Sequence, residues 1–109
     1  MSTTLEKVRR LEQYLAADNT TVDAILETTI DKLLAREQLR ISELKSRLDN
    51  QCRRFEKQYN LDSPTFYQKY QNGELGDDID FIEWAATIEM LENIEKRLGL
   101  LEFADEPGH

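Results

Sequence analysis

Glycine and proline are nearly missing from this 109-residue chain, which holds four Gly and two Pro, none of them in the first 63 residues. Their scarcity removes the turn punctuation that a many-stranded β fold needs and favours long uninterrupted helices. Cysteine occurs once, as Cys52, so no intrachain disulfide can form. The sole histidine is His109, which leaves no Cys/His set for zinc and no internal imidazole to act as a base. Catalysis is therefore not expected. No apolar run approaches the roughly 18 residues of a membrane span. The opening Met1-Ser2-Thr3-Thr4-Leu5-Glu6 lacks the basic and apolar regions of a signal peptide, so a cytoplasmic location is the expectation.

What is present is charge, 33 % of residues, beside 39 % hydrophobics. Residues 1–59 carry 11 Lys/Arg against 10 Asp/Glu, whereas residues 60–109 carry 3 against 12. An acidic C-terminal half repels phosphate and suits either a solvated surface or a basic protein partner.

The apolar positions recur at helical spacing. Thr3 with Glu6 resembles a capping box, after which Leu5, Val8, Leu11 and Leu15 form one stripe. This first helix is expected to end near Asp18-Asn19, with Thr20 or Thr21 capping the next and Asp23 in its first turn. A second helix from about 21 to 59 carries Leu34, Ile41, Leu48 and Phe55 seven residues apart, with Ile30 and Leu44 at the other seam position. Glu37 and Gln51 interrupt that second seam. A helix roughly 60 Å long exceeds what a chain of this size can wrap, since a compact domain has a radius of gyration near 13 Å. The spacing therefore predicts a homodimer seamed by Ile30, Leu34, Ile41, Leu44 and Leu48.

Asn60-Leu61-Asp62-Ser63-Pro64 breaks the run, with Ser63 as the expected cap and Pro64 at the first helical position. A short helix follows to about Gln71 and ends at Asn72-Gly73. Asp77 or Asp78 can cap a last helix whose face is Phe81, Trp84, Ala85, Ile88, Leu91, Ile94, Leu98 and Leu101. Folding that helix back antiparallel gathers Phe55, Tyr59, Phe66, Tyr70, Phe81 and Trp84 into an aromatic corner. The expected fold is thus all-α and elongated: an N-terminal helix over 1–18, a single helical unit over 19–101 and a flexible tail over 102–109. Tyr67 lies off the Phe66/Tyr70 face. With Glu74, Leu75, Asp77 and Asp78 it forms the candidate partner-binding edge, because exposed tyrosine is a favoured interface anchor.

Two other chemistries fit the residues poorly. An EF-hand register begun at Asp78 places Asp80 and Glu89 at positions 3 and 12, but it places Ile82 at position 5 and Glu83 where glycine is required. No metal site and no cofactor is expected. Arg36, Arg40, Lys45, Arg47, Arg53, Arg54 and Lys57 alternate with Glu37, Glu43, Asp49 and Glu56, a modest excess of +3 for a nucleic-acid surface.

The stretch Phe55-Glu56-Lys57-Gln58-Tyr59, then Phe66-Tyr67-Gln68-Lys69-Tyr70, then Gly73-Glu74-Leu75-Gly76-Asp77-Asp78-Ile79-Asp80-Phe81-Ile82-Glu83-Trp84 resembles a family of small helical prokaryotic antitoxin-like proteins. The likeness runs from about Thr21 to Leu101 and is most specific in its middle third. Such proteins are encoded beside a small toxin-like protein. The resemblance implies a non-enzymatic component that binds and neutralises that partner; it carries no catalytic or ligand residues. A DNA-binding autoregulator and a structural coiled-coil adaptor are the alternatives.

Overall fold

The computed structural model describes residues 2–17 and 23–105, apart from the side chains of residues 103–105. Its elements are α1 (Thr4–Ala17), α2 (Ala24–Tyr59), α3 (Ser63–Gln71) and α4 (Ile79–Asp105), with no strand among the described residues. The fold is all-α, as the spacing of apolar residues predicts. The chain divides into two compact units, Met1–Leu34 and Ala35–His109, and the division falls inside α2.

In the N-terminal unit the Thr3 hydroxyl accepts from the Glu6 N–H at 3.1 Å, so Thr3 caps α1 as its spacing from Glu6 suggests. The caps expected at Thr20 or Thr21 and the helix end at Asp18-Asn19 lie outside the described residues. Asp23 itself sits just before α2, and its carboxylate accepts from the Ile25 N–H at 2.8 Å. It thus acts as the cap and not as a first-turn residue. No residue of α1 is buried: Leu5, Val8 and Leu11 are all exposed.

In the C-terminal unit the chain reverses twice. Asn60 ends α2 in the left-handed region at φ 50°, and the Leu61 N–H reaches back to the Glu56 carbonyl at 3.2 Å. Gly73 does the same for α3 at φ 72°, with bonds from Glu74 N–H to the Lys69 carbonyl and from Gly73 N–H to the Tyr70 carbonyl. This bond pair is the Schellman closure, which satisfies carbonyls that the helix leaves without partners. Between these stops α3 is capped by Asp62, whose carboxylate accepts from the Thr65 N–H at 2.8 Å. The cap is therefore Asp62 and not Ser63, the residue expected there from the sequence. Ser63 instead occupies the first helical position, because its hydroxyl is held by the Trp84 indole.

After Asp78 caps it through the Asp80 N–H at 2.9 Å, α4 returns antiparallel along α2. Two buried clusters join the helices. Near the corner, Cys52, Phe55, Phe66, Trp84 and Ala85 pack together; further along, Ile41, Leu48 and Ile94 do so, flanked by Leu44, Leu91 and Leu98. Ile41 and Leu48 retain only 2 % and 8 % of their exposure, so three of the five positions assigned to a dimer seam are covered by α4. The reason is periodicity: a stripe that fits a second copy fits an antiparallel return helix equally well. Ile30 and Leu34 belong to the N-terminal unit and are half-buried there. Helix α4 continues to Asp105, past the point where the tail was expected to begin.

Gly73 has open space around the Cβ position, so its constraint is backbone conformation alone. Gly73→Ala is expected to lower unfolding free energy by about 1–2 kcal/mol through the left-handed conformation. Gly76→Ala, also in open space and with no positive φ, should stay within about 0.5 kcal/mol of the parent. Urea denaturation of the two variants measures the difference.

Candidate partner-binding site

The aromatic corner is organised by Trp84 and Phe66, both with no remaining exposure. Their rings stack at 3.8 Å between centroids and 5° between planes. Phe55 stacks on Trp84 at 5.5 Å, while Phe81 and Tyr70 lie tilted against Phe66, each at 5.7 Å. Tyr59 completes the set at 5.2 Å from Phe81. The six rings assigned to the corner therefore form one cluster, each pair adding about 0.5–1.5 kcal/mol beyond the area it buries.

Polar groups at the edge of this cluster are paired with one another. The Trp84 Nε1–H donates to Ser63 Oγ at 2.9 Å, and the Ser63 N–H donates to Glu56 Oε2 at 2.8 Å. These two bonds run from α4 through α3 to α2. On the other side, the Tyr59 hydroxyl donates to the Asp80 carboxylate, tying the end of α2 to the first turn of α4. That bond, together with burial and the charges of Asp80 and Asp78, pushes the Tyr59 hydroxyl up to about 12.

The five residues of the expected partner edge have different surroundings. The Tyr67 hydroxyl donates to Glu89 Oε2 at 2.8 Å, which raises its pKa above the ordinary value, and its ring is half-buried against the core. Leu75 is also half-buried there, because the loop bends its side chain onto the rings. Both were expected to be exposed. Asp78 caps α4, and Glu74 accepts from the Asn72 side chain at 3.3 Å. Asp77 remains exposed.

A different surface gathers the features of a docking site. Between α2, α3 and α4 lies an open groove of about 550 Å³. Cys52, Ile88 and Leu91 provide its apolar floor, and Pro64 and Tyr67 stand at the α3 side. Its charged lining is Asp49 and Glu56 from α2, Glu92 and Glu95 from α4, and a single base, Arg53. Of these residues only Tyr67 belongs to the partner edge expected from the sequence. Their signal was a pair of glutamates at i and i+3, flanking the apolar stripe Ile88/Leu91, but the same pattern describes any solvated helix edge.

Burial pushes the Cys52 thiol pKa up, with Glu56 and Asp49 acting in the same direction against an opposing bond from Ser63. A raised pKa keeps it as the protonated thiol, the unreactive form. No family model, curated protein or solved structure matches the chain.

Ser63→Ala is expected to cost about 1–3 kcal/mol, because it leaves the buried Trp84 indole N–H without an acceptor; chemical denaturation monitored by Trp84 fluorescence measures it. The Tyr59 bond carries a pH signature. Its folded pKa lies above the ordinary 10.0, so its contribution is complete below pH 10 and disappears as pH rises to about 12. Denaturation at stepped alkaline pH should show the stability gap between the parent and Tyr59→Phe closing across that window.

Proposed function

We propose that this chain is a non-enzymatic protein-interaction component, antitoxin-like, that binds and neutralises a small toxin-like protein. The interaction part rests on α1. This 14-residue helix buries none of its residues, and Leu5, Val8 and Leu11 are exposed. Isolated helices of about 12–15 residues are marginal in water, so a stripe of this kind is stabilised by what covers it. Exposed Ile25 and Leu33 on α2 extend the apolar surface available in the N-terminal unit. The toxin-antitoxin part rests on the likeness of the Phe55–Trp84 stretch to that family.

In this reading the chain is a homodimer. Because α4 occupies Ile41, Leu44 and Leu48, pairing of two copies falls to the N-terminal positions, Ile30 and Leu34 among them. The acidic C-terminal half covers a basic functional surface on the partner, and apolar helix positions anchor the contact.

The DNA-binding alternative has one observation in its favour: Arg47, Arg53, Arg54 and Lys57 share a shallow surface of α2. Arg40, by contrast, is engaged by Glu37 at 2.8 Å. Binding of that kind would weaken steeply with salt and on neutralising Arg53 and Arg54.

Co-expression with the product of the adjacent gene tests the main reading. The neighbour is expected to be toxic alone, harmless with this chain and retained by it in a pull-down. A harmless neighbour that is not retained defeats the antitoxin assignment. Light scattering should report a dimer that Leu5→Asp, Val8→Asp and Leu11→Asp together convert to monomer or detach from its partner, with α-helical circular dichroism largely kept.

A further inference from the structure

We infer that the groove between α2, α3 and α4 takes a basic, apolar-faced helical segment of a partner protein, with apolar side chains on Cys52, Ile88 and Leu91 and cations on Glu92 and Glu95. This deepens the interaction reading above and rests on it only for the partner's identity. Three apolar side chains in an open groove of about 550 Å³ offer a concave surface to the apolar face of a docked helix. The charge around it then selects the occupant.

The four carboxylates differ in what already holds them. Asp49 is paired with Lys45 Nζ at 3.0 Å, and Glu56 accepts from the Ser63 backbone. The one lining base, Arg53, donates to the Asn50 side chain at 3.2 Å. Among the described residues the ion pairs are Glu37–Arg40 and Lys45–Asp49, so Glu92 and Glu95 line the groove outside any ion pair. Glu89 stands one turn earlier on the same edge, bonded by the Tyr67 hydroxyl.

Like charges one turn apart on a helix repel one another. Two cations spaced by one turn on a docked helix would relieve this repulsion and match the separation of the two glutamates, while phosphate would be repelled. The occupant is therefore a cationic protein segment rather than nucleic acid.

The test uses the full chain and a synthetic amphipathic peptide with leucines on one face and lysines at i and i+4, beside a twin carrying glutamate in place of lysine. Fluorescence anisotropy should show micromolar binding of the lysine peptide and none of the twin. The double variant Glu92→Lys with Glu95→Lys should weaken that binding by about tenfold or more, whereas Glu43→Lys with Glu102→Lys, an equal change in net charge at exposed positions outside the groove, should alter it by no more than about twofold. Chemical shifts of the Ile88 and Leu91 methyl groups should move on titration. Equal weakening by the two double variants, or no methyl shift, overturns the proposal, since overall charge would then explain the binding. Self-association of the chain that the Glu92/Glu95 variant abolishes would also overturn it, by making a second copy the occupant. If the parent binds the peptide in this pattern yet does not retain the neighbouring gene product, the antitoxin reading fails and the groove stands. If the neighbour is retained equally by the Glu92/Glu95 variant, the groove proposal fails and the antitoxin reading stands.

Discussion

The stack of Trp84 on Phe66, closed by the indole N–H bond to Ser63, is the contact on which the rest of the C-terminal unit depends. It joins a residue of the return helix to two residues of the short one, and Ser63 passes the connection to Glu56 on the long helix. Burial of two large rings supplies a non-directional gain of about 1.5–3 kcal/mol each. The hydrogen bond supplies direction, because only one approach of α4 satisfies a buried donor. Once that approach is set, the helical repeat carries Ile88, Leu91, Ile94 and Leu98 down the face of α2.

This single constraint also decides which surfaces remain. A return helix on Ile41, Leu44 and Leu48 covers these residues and leaves exposed apolar residues in both units, Leu5, Val8, Ile25 and Leu33 in the first and Leu39, Ile79, Met90 and Leu100 in the second. It brings Glu92 and Glu95 beside Cys52, which lies about 40 residues earlier in the chain. The groove is thus a by-product of the same packing that makes the corner, and it inherits its charge from the acidic half of the sequence. Where the aromatic edge is concerned, packing takes side chains away from function: Tyr67 and Leu75 lie half-buried on the core, and Asp78 serves as a cap.

Much of the fold was legible because it rests on local rules. Helix positions follow from spacing at 3.6 residues, and the stops at Asn60 and Gly73 follow from the few residues that accept a left-handed backbone. The choice between Asp62 and Ser63 as cap was not legible locally: both are good caps, and the decision came from an indole 21 residues away that needed the serine hydroxyl. Part of the expected seam, Ile41, Leu44 and Leu48, is covered by α4 for a related reason. A heptad stripe states that a helix will be covered and is silent about whether its own chain or another covers it.

The sequence by itself determined an all-α chain, the site of its corner, the six rings that fill it and the acidity of its second half, because each follows from periodicity, composition or a conformational preference within a few residues. Only the tertiary structure decided that α4 covers the stripe of α2, that Tyr67 and Leu75 are drawn inward, and that carboxylates from two helices surround an apolar groove. Those outcomes depend on contacts between residues far apart in the chain, where burial and hydrogen-bond satisfaction select one arrangement from several that the local pattern allows equally.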